Sequence, residues 1–285
     1  MKKTALISHG CAKNLVDSEL MLGKLIQKGF PVTLDENEAD IVIINTCSFI
    51  NDAEKESVKS VFDMIKAGKK VIIAGCLPQK HKKELQELIP EASAFLGTSD
   101  IEKITDVIED ILNGESSEYE VNENPIYNYP ENITRQQITM GCSSYIKIAD
   151  GCDFKCGYCI IPQLRGPYKS RKIENIVLEA KELVKKGVNE IVLIAQDTTS
   201  YGKDLYGKPK LVELLKELNN LDDLIANIGK IGYLPEGAVA CKYIHEICLH
   251  KNLNLPICSG IFRVLNKEVR PLTLLDELIN MDKNR

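Results

Sequence analysis

Short apolar runs alternate with amphipathic stretches over residues 1–113. A continuous apolar run indicates a strand buried on both faces, whereas apolar positions three and four apart indicate a helix. The predicted strands are Thr4–Ser8, Asp40–Asn45, Lys70–Ala74 and Ala94–Leu96. The predicted helices are Asn14–Lys28, Ala53–Ala67, Gln79–Leu88 and Asp100–Leu112. This alternation predicts an N-terminal α/β domain with a parallel sheet.

The alternation stops at residues 114–137 and then resumes. Residues 114–137 are polar, contain two prolines and show no period, which predicts a linker or an exposed connection. A second α/β domain is predicted over residues 138–285, with about four strand–helix units. Its clearest elements are the strands Tyr145–Ala149 and Glu190–Ala195 and the helices Ile173–Lys186 and Leu211–Leu218. Strands near 228–233 and 254–257 and helices near 238–249 and 274–281 follow a weaker pattern.

The composition is that of a soluble chain in a reducing compartment. With 285 residues and a net charge of −5, the chain is too acidic for a general nucleic-acid binder. No apolar run approaches the roughly 18 residues of a membrane span. The apolar stretch after the basic start Met1–Lys3 is also too short for a signal peptide. We therefore expect a cytoplasmic protein, in which ten cysteines indicate metal or redox chemistry.

One cysteine triad lies on a short loop. Cys152, Cys156 and Cys159 have the spacing C-x3-C-x2-C and follow the predicted strand Tyr145–Ala149. Three thiolates on one loop can hold three irons of a cubane cluster and leave the fourth iron open. The spacing differs from that of ferredoxins, which place a fourth cysteine before a proline. A zinc site completed by one of the four histidines is the alternative.

A second triad is dispersed along the N-terminal region. Cys11, Cys47 and Cys76 each follow the carboxyl end of a predicted strand. These ends lie side by side in a parallel sheet, at the edge where ligands bind, which predicts a second three-thiolate site. The alternative is that each is a small buried core residue. The other cysteines show no ligand spacing and are interpreted as packing residues: Cys142, Cys241, Cys248 and Cys258.

Together these motifs resemble the radical S-adenosylmethionine (SAM) methylthiotransferases. The loop triad is similar to their cluster motif, and SHGCAKNLVDSE, NTCSF and AGCLPQ are similar to their amino-terminal domain. The segments IIPQLRGPYKSR and IAQDTTSYGKDLYG are closest to the RimO branch, which modifies an aspartate of a small-subunit ribosomal protein. The MiaB branch, which modifies an adenosine of tRNA, is the alternative. In that branch an asparagine-containing segment is expected in place of Asp197–Thr199.

The resemblance implies a fold, cofactors and partners. It implies a radical SAM β/α barrel after the N-terminal domain, and a [4Fe–4S] cluster on Cys152, Cys156 and Cys159. The open iron of that cluster would bind SAM, and its reduction would give a 5′-deoxyadenosyl radical. A second [4Fe–4S] cluster, used in sulfur delivery, would be held by the other triad: Cys11, Cys47 and Cys76. The implied partners are a ribosomal protein substrate and a reductant such as flavodoxin or ferredoxin. We expect a monomer without direct nucleic-acid binding.

The resemblance also suggests weaker candidates for binding SAM or substrate. Gln196 and Asp197 leave the carboxyl end of the second barrel strand, where barrel enzymes place their sites. Tyr158 would pack on the adenine, and Arg165 and Arg171 would meet a carboxylate. The alternative for Gln196 and Asp197 is a polar turn, and for Tyr158 it is packing on the barrel rim. For Arg165 and Arg171 it is a solvated basic loop.

The resemblance becomes weaker after about residue 222. The chain lacks the expected tryptophan–arginine strand, and Cys258 stands where the family has glutamine. Only about four of about six barrel units are predicted, and the C-terminal TRAM domain is expected to be absent. Two further hypotheses therefore stay open. One is a truncated or decayed copy that binds clusters without turnover, and the other is an electron-transfer iron–sulfur protein.

Overall fold

Four parallel strands form the N-terminal sheet. We describe residues 2–114, 121–130, 135–138 and 141–218 of a computed structural model, together with residues 263, 264, 268, 269 and 273. The strands are adjacent in chain order: β1 (Thr4–Ser8), β2 (Ile41–Thr46), β3 (Lys70–Gly75) and β4 (Ala94–Leu96). The helices between and after them are α1 (Ala12–Gln27), α2 (Asn51–Lys66), α3 (Cys76–Leu88) and α4 (Ile104–Asn113). Short 3₁₀ turns lie at Glu36–Glu38 and Ile101–Lys103. Every strand and helix predicted for this region is present.

Helices cover both faces of this sheet. Successive strand residues point to opposite faces. On one face, Ile43 and Ile72 pack against α1 and α4 through residues such as Leu20 and Ile108. The opposite face contains Val42, Ile44, Val71 and Ile73, and it packs against α2 and α3. This double coverage explains why the central residues of the strands are apolar on both faces.

Helices α1, α2 and α3 begin earlier than the hydrophobic period predicts, and a cysteine marks the start of α1 and of α3. Helix α1 starts directly after Cys11, and α3 starts at Cys76 itself. Gly10 and Gly75 precede these cysteines with φ angles of +90° and +93°, a conformation that glycine adopts without steric cost. The chain therefore passes directly from β3 into α3, and after three residues from β1 into α1. These tight turns set Cys11 and Cys76 at the edge of the sheet.

The second α/β region is built on a parallel pair of strands. Its elements in chain order are β5 (Ser143–Lys147), β6 (Ala149–Asp150), α5 (Ile161–Arg165), β7 (Lys169–Ser170), α6 (Ile173–Lys185), β8 (Glu190–Ile194), α7 (Lys203–Tyr206) and α8 (Leu211–Leu218). Strand β5 pairs parallel with β8, and β6 pairs antiparallel with β7. The short elements β6, β7, α5 and α7 span too few residues to show a period, and they were not predicted.

The described part of segment 114–137 contains buried anchors between its exposed residues. Val121 packs into the N-terminal core, and Tyr127 and Arg135 are buried. Arg135 pairs with Glu19 of α1 and with Glu179 of α6. The prediction of an exposed connection is therefore wrong for these residues, because a few buried anchors are hidden within a polar composition.

Residues Met1–Leu218 form one unit by their contacts, and Asn219–Arg285 form another. The elements predicted after residue 222, with Cys241, Cys248 and Cys258, lie outside the described residues. The domain boundaries at 113 and 138 stay predictions. None of the helices in the described ranges combines the length and the apolar character that crossing a membrane requires.

Candidate functional site

The three dispersed cysteines come together at one edge of the N-terminal sheet. Strands β1, β2 and β3 end in register, with Ser8 opposite Asn45 and Asn45 opposite Ala74. The cysteines that follow these ends line one cavity of about 470 Å³: Cys11, Cys47 and Cys76. Cys11 is exposed, whereas the other two are buried. The three cysteines thus line one cavity, as the geometry of a parallel sheet predicts, and their role as cluster ligands stays a prediction.

Glycine is required where the chain passes these cysteines. A Cβ atom on Gly10 would lie 2.5 Å from Cβ and 2.8 Å from Sγ of Cys47. A Cβ atom on Gly75 would lie 2.2 Å from the side-chain oxygen of Asn45. Both glycines also have positive φ angles, so any larger residue would combine strain with a clash. The backbone is therefore shaped to leave room for the cysteine sulfurs.

Hydrogen bonds from neighbouring side chains fix the backbone around the cavity. Ser57 accepts from the Cys47 amide at 3.0 Å and donates to its carbonyl at 3.1 Å. The Thr46 hydroxyl donates to the Ala74 carbonyl at 2.6 Å and accepts from the Leu77 amide at 3.1 Å. These bonds lock the residues next to Cys47 and Cys76 without using the sulfurs.

The second α/β region supplies the other wall of this cavity. Ile161, Leu164, Arg165 and Gln196 line it together with the cysteines. Burial raises the pKa of the Cys76 thiol, and the nearby Arg165 guanidinium opposes that shift. The cavity is therefore a junction of both regions, and its described wall is mainly apolar apart from the thiols and a few polar groups.

Arg165 belongs to a buried ionic network that sequence reasoning missed. Lys147 and Arg165 both contact the carboxylates of Asp17 and Asp150. Burial alone would raise the pKa of Asp150, but the two cations hold it well below its usual range. A signal was available, because Lys147 interrupts the apolar run YIKIA and a charge inside a buried strand requires a partner.

The loop triad lies at the end of the strand pair β5–β8. Cys152 and Cys159 are partly exposed and Cys156 is exposed. The Cys152 amide donates to the Gly166 carbonyl at 3.1 Å, and the Cys159 amide donates to the Cys156 carbonyl at 3.0 Å. At Gly151 a Cβ atom would lie 2.0 Å from the Pro167 carbonyl oxygen. The start of the loop is thus held tightly against the segment after α5.

The thiols of both triads are the kind of donor that an iron–sulfur cluster takes. All seven described cysteines are free thiols. Within the described ranges, no three His, Cys, Asp or Glu side chains converge on a point that would suit a single metal ion. A [4Fe–4S] cluster takes one cysteine for each iron, so its thiolates need not meet at one point.

The weaker candidates occupy four different environments. Gln196 lines the first cavity and donates to Asp150 at 2.6 Å, while its buried side-chain oxygen has no hydrogen-bond partner among the described residues. Asp197 lines a second cavity of about 380 Å³ with Cys152, and it accepts hydrogen bonds from the turn that follows it. Tyr158 is 94% exposed. Arg171 is buried, pairs with Glu179 and stacks on a tyrosine ring. The predicted roles of these residues stay predictions.

Two family models match the chain. The model of the "Uncharacterized protein family UPF0004" matches residues 3–97, which contain the dispersed triad. The model of the radical SAM superfamily matches residues 146–244, which contain the loop triad. The two matches together cover both cysteine motifs.

Curated relatives are similar over most of the chain. It is 49% identical over 222 residues to the ribosomal protein uS12 methylthiotransferase RimO of Microcystis aeruginosa (strain NIES-843 / IAM M-2473), across 78% of this chain and 51% of that protein. It is 48% identical over 274 residues to the RimO of Prochlorococcus marinus (strain MIT 9303), across 95% of this chain and 57% of that protein. The chain thus spans about half the length of the curated relatives it matches. The predicted resemblance to radical SAM methylthiotransferases is confirmed.

Solved structures support the fold class. The methyltransferase TsrM from Kitasatospora setae matches with a TM-score of 0.52 and 13% identity, across 76% of this chain and 51% of that chain. The cobalamin-dependent enzyme OxsB matches with a TM-score of 0.50 and 10% identity, across 76% of this chain and 36% of that chain. Both are radical SAM enzymes, and the likeness concerns the fold. The predicted α/β class with a radical SAM region is confirmed.

Proposed function

We propose that this chain is a RimO-like methylthiotransferase, which adds a methylthio group to the β-carbon of an aspartate in ribosomal protein uS12. The observation that carries the proposal is the first cavity. There, three strand-end cysteines face side chains from the same region that contains the loop triad: Ile161, Leu164, Arg165 and Gln196. The names of the curated relatives specify ribosomal protein uS12, and they support the choice of substrate.

Two [4Fe–4S] clusters follow from the two triads. Cys152, Cys156 and Cys159 would hold one cluster together with SAM, and the other triad would hold the second. A reduced cluster with SAM supplies a radical that removes hydrogen from an unactivated carbon, and the second cluster supplies sulfur. The chain's own contribution is to hold the thiolates in place and to exclude water with apolar walls such as those of Leu164 and Ile161. A cytoplasmic monomer that takes electrons from flavodoxin or ferredoxin completes the proposal.

Iron content tests the two-cluster proposal. Anaerobic reconstitution should give about eight irons per chain, and replacing either triad by alanine should leave about four. The change in each variant should be the same, because each triad would hold one cluster. If either triple variant kept all eight irons, the assignment of that triad would be wrong.

Product analysis tests the reaction. The loaded and reduced protein should convert SAM to 5′-deoxyadenosine, and with uS12 present the target aspartate should gain a methylthio group. Mass spectrometry of uS12 and of tRNA nucleosides from the same incubation separates the substrates. Methylthio-adenosine in tRNA would overturn the choice of uS12. The absence of 5′-deoxyadenosine from fully loaded protein would instead indicate cluster binding without turnover.

A further inference from the structure

Arg165 connects the buried ionic network to the N-terminal cysteine triad. One amino group of its guanidinium, Nη1, lies 2.6 Å from Asp17 and 3.1 Å from Asp150. The other, Nη2, lies 3.9 Å from the sulfur of Cys76 and donates to the side-chain oxygen of Asn14. Only 4% of the residue is exposed, so it is not part of a solvated basic loop.

The orientation of this guanidinium is fixed from two sides. Asn14 donates through its amide nitrogen to the carbonyls of His9 at 3.1 Å and Thr46 at 2.9 Å. Its amide oxygen must therefore face Arg165. On the other side, the two aspartates hold Nη1, so Nη2 is directed toward Cys76.

The network is electrically balanced only when Arg165 is present. Asp17 and Asp150 carry two negative charges, and Lys147 and Arg165 carry two positive charges. Of the two cations, Arg165 is the one with a hydrogen bond to a cysteine sulfur among the described residues. An arginine is ionised at every accessible pH, so it places a permanent positive charge beside this sulfur.

We infer that Arg165 is a positioning residue that acts through the Cys76 sulfur and raises the reduction potential of the cluster on Cys11, Cys47 and Cys76. This inference rests on the proposed function, because it needs a cluster at that triad. Hydrogen bonds and positive charge at a ligand sulfur stabilise the reduced, more negative cluster and so set its potential. The buried position strengthens the effect because solvent does not screen it.

The test isolates the N-terminal cluster. The full chain carrying C152A, C156A and C159A is reconstituted with iron and sulfide, and the remaining cluster is titrated with dithionite while its reduced form is followed by electron paramagnetic resonance. In this background R165Q should lower the midpoint potential. The ratio of reduced to oxidised cluster at a fixed potential should fall about tenfold, the size of effect expected when a charged hydrogen bond is lost.

Two further variants separate sulfur bonding from general damage. D17N/R165Q removes one charge of each sign, so the network stays balanced without the donor to Cys76, and the potential should fall as in R165Q. R135Q removes a buried arginine that also joins the two regions but has no contact with a cysteine among the described residues. It should shift the potential less than R165Q does, because the hydrogen-bond donor to Cys76 stays in place.

Each outcome decides the inference. An unchanged potential in D17N/R165Q, an equal shift in R135Q, or loss of iron from both Arg165 variants would overturn it. Absence of iron from the C152A/C156A/C159A background itself would overturn the proposed second cluster, and the inference with it. Four irons with an unaltered potential would refute the role of Arg165 alone.

Discussion

Replacing Arg135 by methionine should strongly destabilise the chain. The guanidinium is buried and contacts Glu19, Glu179 and the Tyr145 carbonyl. Glu19 has a side chain only 2% exposed, and Arg135 is the cation paired with it among the described residues. Glu179 keeps a second cation in Arg171. The substitution therefore leaves the Glu19 carboxylate without a partner cation among the described residues, and it leaves Glu179 with Arg171 as its remaining cation.

The expected loss follows from the cost of an unpaired buried charge. Removing one partner of a buried ion pair destabilises a protein by about 3–5 kcal/mol. A protein of this size shifts by about 2–4 °C for each kcal/mol, so the melting temperature should fall by on the order of 10 °C. Adding E19Q to R135M should recover part of the loss, because the charge left behind by the first substitution is removed.

Circular dichroism during urea and thermal unfolding measures this loss on anaerobically purified protein. E19Q, R135M and the double variant form a cycle with the parent chain, and the coupling between Glu19 and Arg135 is the difference from additivity. A loss below about 1 kcal/mol in R135M, typical of an exposed pair, would refute the reasoning. A double variant no more stable than R135M would refute the unpaired charge as its cause.

Three further perturbations test other parts of the structure. G10A should reduce iron binding at the dispersed triad, because its Cβ would lie 2.5 Å from that of Cys47. G29A has a similar φ and no atom within 4 Å of the added Cβ, so it should leave the iron count unchanged. Equal iron contents in the two variants would contradict the need for glycine beside Cys47. Burial would raise the pKa of Glu179, but its arginine partners lower it. Its stabilising contribution should therefore be present above its unfolded pKa of about 4.3 and be lost as the pH falls below that value. When the free energy of unfolding is measured by urea titration from pH 7 to pH 3, E179Q should reduce its dependence on pH. The same dependence in E179Q and the parent chain would contradict a lowered pKa of Glu179. Finally, D197A should lower the free energy of unfolding in urea by about 1 kcal/mol, because it removes the acceptor of the turn. D197N keeps an acceptor oxygen and should lose less. Equal losses in the two variants would show that the turn is not the main role of this side chain.

The sheet and its cysteines could be predicted because buried parallel strands have a strong sequence pattern. Runs such as Ile41–Ile44 are apolar at every position, and the end of each run gives the place of the following cysteine. The convergence of Cys11, Cys47 and Cys76 then follows from the geometry of a parallel sheet. Helix starts were less predictable, because Gly75 and not an apolar period determines where α3 begins.

The contacts between the two regions could not be predicted in the same way. Arg135 lies in a polar segment with no period, and its partners are 116 residues earlier and 44 residues later in the chain. Asp17 lies within an amphipathic helix, where a charged residue usually faces solvent. These charged residues are buried because they pair across the interface between the two regions. Partners so distant in the sequence leave no local pattern from which the pairing could be predicted.

The acidic residues of α1 show why the cavity needs both regions. Asp17 and Glu19 are buried, and their cations come from the other side of the interface: Lys147, Arg165 and Arg135. If the two regions separated, each of these charges would be hydrated again. The cost of dehydration therefore offsets much of the attraction in the ion pairs, which contribute more to the specificity of the association than to its strength. The apolar contacts drive closure, and the ion pairs then select one alignment. In that alignment Arg165 contacts the Cys76 sulfur while its network partner Asp150 immediately precedes the loop of Cys152. The proposed reaction would transfer a group between the two sites, and a fixed alignment would serve it because a small displacement of the reacting groups costs a large factor in rate.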